Sequence, residues 1–235
     1  KSDGQLGPQT SFIQNEGSGM NPARQAGPHA HFIRVTNDNK YVMVADLGID
    51  KALAYRFDST TGTLAPADSG FAKLDPGSGP RHIAFPPSGQ FVYVLNELSS
   101  TVTLFSLETE NGVMKTKQTL STLPDNFSGM NTAAEIAVDG KGRFLYVSNR
   151  GDNSIGLFRI NSKDGNLTPV EWISSGGKTP RHFEIDPTGQ WLFAANQDSD
   201  NIVVFRIDQT SGRLIQISKQ FNIKSPVCIR FLPKQ

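Results

Sequence analysis

Two glycine-centred turns alternate four times along this chain at a fixed spacing, and no other feature narrows its possible folds as far. The first turn ends at Asn39, Gly89, Gly142 and Gly189, and the second at Gly62, Gly112, Gly165 and Gly212. Within each copy the two ends are 23 residues apart, whereas successive copies are offset by 50, 53 and 47 residues. Blocks of constant length joined by connectors of variable length are a structural repeat.

Each block reads as β. Residues 41–45, 91–95, 144–148 and 191–195 are short apolar runs rich in β-branched and aromatic side chains, bounded by turn residues. A second set follows at 53–57, 102–105, 155–158 and 202–205. A further strand precedes each first turn (82–85, 182–185) and another follows each second turn (167–172), while no stretch shows ten residues of helical periodicity. Four meandering antiparallel strands per unit of about 50 residues make a propeller blade. The predicted fold is all-β: a single propeller domain over 1–235 with repeat units at about 29–80, 81–133, 134–180 and 181–226.

The ends of the chain extend the pattern. Asp3-Gly4-Gln5-Leu6 matches Asp164-Gly165-Asn166-Leu167, so the chain opens at the outer strand of a preceding blade. Residues 225–229 align with 79–83, the inner strand of a following one. Four complete blades plus two partial ones cannot close a ring and would expose sheet edges. The expected partner is therefore the missing N-terminal blades of the same protein.

Composition removes several classes. With 23 Lys+Arg against 22 Asp+Glu, the net charge of +1 carries no nucleic-acid footprint. No apolar run reaches the ~18 residues of a membrane span. The single Cys228 excludes an internal disulfide framework and a cysteine-rich metal site. Residues 1–30 contain no basic-then-apolar export signal, and the cytoplasm is the expected compartment. Neither a P-loop, a dinucleotide fingerprint nor a nucleophile elbow is present, so no cofactor is expected.

The repeat also indicates a site. Eight residues before the first turn stand His31, Arg81, Ala134 and Arg181; eight after it stand Leu47, Glu97, Arg150 and Gln197. The strands on either side of a hairpin turn run antiparallel, so both positions finish at the same mouth of the central channel. A purely structural slot would repeat one residue type; these differ from blade to blade and are mostly polar. The slot seven after the turn is uniform, Asp46, Asn96, Asn149 and Asn196, and reads as a strand-end residue satisfying local backbone. His31, Arg81, Glu97 and Arg150 around one mouth suit acid–base chemistry on an anionic substrate. Arginine forks neutralise and orient a phosphate, carboxylate or oxyanion, and Glu97 or His31 removes a proton. His29, His82, Arg181 and Gln197 are further candidate substrate contacts, although His82 and His182 equally suit blade-to-blade hydrogen bonding. Asp46, Asn96, Asn149, Asn196 and Glu97 have oxygens suited to calcium, but arginines at the same mouth oppose a cation, so no metal is expected.

The strings Gly79-Pro80-Arg81-His82-Ile83-Ala84-Phe85, Tyr93-Val94-Leu95-Asn96-Glu97, Tyr146-Val147-Ser148-Asn149-Arg150 and Gly27-Pro28-His29-Ala30-His31 resemble the seven-bladed propeller lactonases. That family includes bacterial 6-phosphogluconolactonases and the fungal 3-carboxy-cis,cis-muconate lactonising enzyme. The resemblance implies a seven-bladed ring, of which about 110–130 upstream residues are absent here. It further implies hydrolysis of a small anionic sugar lactone, foremost 6-phosphogluconolactone to 6-phosphogluconate; the residues proposed in the muconate lactonising enzymes, one His, two Arg and one Glu, match His31, Arg81, Arg150 and Glu97. Two alternatives stand beside it: a lactone-forming cycloisomerase using the same groups, and a non-enzymatic propeller that binds a partner on its face.

Overall fold

The computed structural model describes residues 4–232. Sixteen strands form four separate four-stranded antiparallel sheets, each in simple sequence order. Blade one is β1 (Ala30–Val35), β2 (Tyr41–Asp46), β3 (Lys51–Asp58) and β4 (Thr63–Lys73). Blade two is β5 (Pro80–Ala84), β6 (Phe91–Asn96), β7 (Thr101–Glu108) and β8 (Val113–Ser121). Blade three is β9 (Thr132–Val138), β10 (Phe144–Arg150), β11 (Ser154–Ile160) and β12 (Leu167–Ser174). Blade four is β13 (Pro180–Ile185), β14 (Trp191–Asn196), β15 (Asn201–Ile207) and β16 (Leu214–Asn222). The helical content of the described residues is one 3₁₀ turn, Gln197–Ser199. No helix there is long and apolar enough to cross a membrane.

The second strand of each blade is buried on both faces, which is why it reads as an unbroken apolar run rather than an alternating one. In β6, Val92 and Val94 pack towards blade one, while Phe91, Tyr93 and Leu95 pack towards blade three. Three cores of this kind join the four blades in series. Val42, Val44, Leu53 and Tyr55 form a fourth cluster on the other face of blade one.

The repeated turns have distinct causes. Asn39, Gly89, Gly142 and Gly189 all take a left-handed conformation, with φ of 60°, 68°, 69° and 70°, and asparagine is the side-chain-bearing residue best suited to substitute for glycine there. The second turn adds a steric demand. A Cβ on Gly112, Gly165 or Gly212 would lie 2.6–2.7 Å from the ring of Tyr41, Phe91 or Phe144, the residue opening the second strand of the preceding blade. The hydroxyls of Tyr93 and Tyr146 donate to the carbonyls of Gly165 and Gly212, at 2.8 and 2.7 Å, and complete the joint. Gly165→Ala, with φ +77° and the Phe91 contact, should lose about 2–5 kcal/mol in urea unfolding. Gly189→Ala, at φ +70° with nothing within 4 Å, should lose only about 1–2 kcal/mol. Equal losses would show that the blade joint does not depend on that close approach.

The terminal segments differ from expectation in one respect. Residues 5–29 and 225–232 carry no strand, because neither meets a partner ladder among the described residues. The first nevertheless lies where an outer strand would. Ser11 Oγ accepts the Leu64 amide, as Gln118 Oε1 accepts that of Leu167 and Glu171 Oε1 that of Leu214. The second docks on blade four: the Ile229 amide donates to His182, and Arg230 pairs with Glu184.

Candidate active site

Each inner strand carries a β-bulge near its start. In β5, Pro80 pairs with Asn96 and His82 with Leu95, leaving Arg81 unopposed; equivalent irregularities occur at Ala30/Phe32, between Ala133 and Ile136, and at Pro180/His182. A bulge breaks the two-residue alternation and re-aims side chains. Arg81 and its neighbour His82 accordingly touch each other, Nη1 to Nε2 at 3.0 Å. Glu97 follows β6; its amide donates to the Gly79 carbonyl, and its own carbonyl accepts from Ala133 of blade three. Its position is therefore set by two blades at once.

The Glu97 carboxylate is the centre of the mouth. Oε2 lies 2.9 Å from Arg81 Nε and 3.0 Å from Arg150 Nη2, and Oε1 lies 2.5 Å from Arg24 Nη2. The side chains of Glu97 and Arg81 are 5% and 4% exposed and that of Arg150 12%, whereas Arg24 is 42% exposed. Arg81 also donates to the Ala134 carbonyl, and Arg150 to those of Thr132 and Ala133. Positions eight before and eight after the turn thus converge, as the antiparallel register requires.

Burial alone would raise the Glu97 carboxyl, but Arg150, Arg24 and Arg81 outweigh it and hold it below the ordinary carboxylate range. Burial, reinforced by the charge of Arg150, brings Arg81 down to about 10, so it stays cationic at neutral pH. His31 on β1 is half-buried, its ring 5.2 Å from His82 and 5.8 Å from His29. Burial, then the nearby Arg81, lower it to about 4, which leaves a neutral imidazole at pH 7. Its Nδ1 is buried without a hydrogen-bond partner among the described residues.

Arg24 escaped the sequence reading because it lies outside the repeat. Its loop is built on Gln25, fully buried, whose Nε2 donates to the Leu47 carbonyl and to Asp50 Oδ1. Asp50 also accepts the amides of Gly77 and Gly79, just ahead of Arg81. The loop and the entry to β5 therefore share one buttress. Glu135 was also missed, although the repeat carried a signal for it. Seven residues before the turn stand Phe32, His82, Glu135 and His182, a slot as varied as its neighbour. Glu135 Oε1 is 2.7 Å from His82 Nδ1, and its Oε2 is 3.3 Å from His182 Nε2.

The other expected contacts divide. Arg181 is half-buried and its charge acts on both Arg81 and Arg150. His29 is exposed, its amide donating to Asp46. Gln197 opens the 3₁₀ turn, its amide bonded to Thr179, and it does not join the ion-pair cluster. His82 and His182 sit beneath the mouth and tie blades two and four to Glu135 of blade three. The uniform slot holds connectors more than local backbone: Asp46, Asn96, Asn149 and Asn196 are at most 1% exposed. Asn149 and Asn196 donate to the carbonyls of Thr122 and Ser175 in the preceding inter-blade connectors, and Asp46 accepts the His29 amide, while the Asn96 bonds stay within its own hairpin. A cavity of about 760 Å³, lined by Phe32, Phe85, Phe183 and Arg34, opens at the turn end of the inner strands, away from the three arginines.

Comparison with known proteins agrees with this architecture. Residues 1–231 match the family model described as "Lactonase, 7-bladed beta-propeller". A Bacillus subtilis protein named 6-phosphogluconolactonase is 38% identical over 230 residues, covering 98% of this chain and 64% of that protein. A solved structure of a Lactobacillus plantarum protein superposes with a TM-score of 0.93 at 36% identity, over 99% of this chain and 66% of that one. The structure titled Pseudomonas aeruginosa periplasmic gluconolactonase gives 0.91 at 35% identity, over 99% and 64%. The chain thus spans just under two thirds of the length of these relatives.

Proposed function

This chain belongs to the seven-bladed β-propeller lactonase family, and from that premise we propose that it forms the active-site portion of an enzyme that hydrolyses an anionic sugar lactone, foremost 6-phosphogluconolactone. The observation that carries the reading is one buried carboxylate clamping three arginines beside a neutral histidine. The names of the Bacillus and Pseudomonas relatives support hydrolysis over cyclisation.

Roles follow from the electrostatics. Both oxygens of the Glu97 carboxylate are already engaged by guanidinium groups, so Glu97 serves to hold the arginines. His31, neutral at pH 7 and with its Nδ1 unpartnered among the described residues, accepts a proton from water as its oxygen attacks the lactone carbonyl. Arg81 and Arg150, both largely buried, donate to the developing oxyanion. Collapse of the tetrahedral intermediate breaks the ring C–O bond, and the imidazolium returns its proton to the departing alkoxide. Arg24, the exposed member of the three, takes the distal phosphate.

The test uses the full-length protein on 6-phosphogluconolactone and on neutral gluconolactone, with spontaneous opening subtracted. Arg24→Met should raise KM for the phosphorylated lactone about 10- to 100-fold and leave the neutral one within about twofold. Equal changes on both substrates would remove Arg24 from anion recognition. No turnover above the spontaneous rate would sink the lactonase reading.

A further inference from the structure

The pair of histidines beneath the mouth has a protonation pattern dictated by its neighbours. A guanidinium can only donate, so at the 3.0 Å contact between Arg81 Nη1 and His82 Nε2 the imidazole nitrogen is the acceptor. The His82 proton therefore sits on Nδ1, 2.7 Å from Glu135 Oε1, and the ring is neutral. On the other side the Ile229 amide donates to His182 Nδ1 at 3.3 Å, which leaves the His182 proton on Nε2, facing Glu135 Oε2 at 3.3 Å. That second contact is electrostatic rather than a well-aligned hydrogen bond. Glu135 itself is 7% exposed, and its Oε1 accepts the Ile136 amide as well. Burial works against the charge on this carboxylate, but the hydrogen bonds from His82 Nδ1–H and the Ile136 amide favour it and hold the carboxyl below its ordinary range.

We infer that Glu135 is a positioning residue: its carboxylate holds His82 as the Nδ1–H tautomer, and His82 Nε2 in turn fixes the guanidinium of Arg81. Arg81 then has Nε on Glu97 and Nη1 on His82 and the Ala134 carbonyl, so three of its five N–H donors are committed to blades two and three. The Nη2 pair is what remains for substrate. Without the lock, His82 could carry its proton on Nε2, where it would oppose Arg81, and the guanidinium would swing. This inference deepens the lactonase reading and rests on it.

The experiment combines histidine ¹⁵N NMR with steady-state kinetics on the full-length protein. In the unaltered protein at pH 7, His82 should be neutral and protonated on Nδ1. Glu135→Ala should let that proton move to Nε2, and lower kcat about 10- to 100-fold with KM within about threefold. Glu135→Gln keeps an acceptor oxygen for His82 Nδ1–H, so it should retain the tautomer and recover most of the lost kcat. A His82 signal protonated on Nε2 in the unaltered protein would overturn the proposal, even if Glu135→Ala failed to fold. So would a Gln variant that keeps the tautomer yet loses as much kcat as Ala, since charge rather than orientation would then matter. If the unaltered protein opens no lactone, the functional reading falls instead, and the histidine spectrum still decides the tautomer.

Discussion

His31→Gln should lower kcat for lactone hydrolysis by about 10²–10⁴-fold while KM changes less than about threefold. The substitution keeps a polar side chain of similar reach but removes the group able to take up a proton from water. The pH profile supplies an independent check. With a pKa of about 4 in the folded protein, His31 is an unprotonated base at all higher pH, so kcat/KM should hold down to about pH 5 and fall as pH drops through 4. A limb near the ordinary value of 6.5 would mean that burial and the neighbouring Arg81 do not act as argued. In His31→Gln the limb should disappear. Stability responds with the same sign. The unfolded chain takes up a proton near 6.5 that folded His31 refuses until about 4, so acidification across that window favours unfolding.

Glu97→Gln should be the most damaging change at the site, in stability as well as rate. It leaves Arg81 and Arg150, 4% and 12% exposed, facing each other without the carboxylate that neutralises them. Breaking a buried ion pair on one side costs about 3–5 kcal/mol, which urea unfolding would register. Because the arginines would separate, KM should rise and kcat fall together, unlike the selective kcat loss at His31. Adding Arg150→Met should recover part of the stability and none of the activity. A stable Glu97→Gln protein that loses kcat alone would return the role of base to Glu97.

The repeat and the site were legible for one reason. Antiparallel pairing is local and periodic, so residues at equal distances before and after a turn must finish side by side. Arg81 and Glu97 could be brought together on that rule alone, and they lie 2.9 Å apart. Glu135 was available by the same rule one slot along. What hid it is the bulge, which sends two consecutive residues of each inner strand to one side where strict alternation allows one.

By itself, the sequence determined the blades, their order, the turns that demand left-handed residues and the polar positions that converge on Glu97. All of these follow from backbone geometry and from spacing along the chain. Only the tertiary structure decided which groups share a charge environment. Arg24 reaches Glu97 across 73 residues from a segment outside the repeat, and His31 loses its usual basicity because blade two packs against it. The terminal segments make the same point: both match the strand pattern, yet neither pairs as a strand among the described residues. A strand needs a neighbour and a pKa needs an environment, and neither is a property of the residues that carry it.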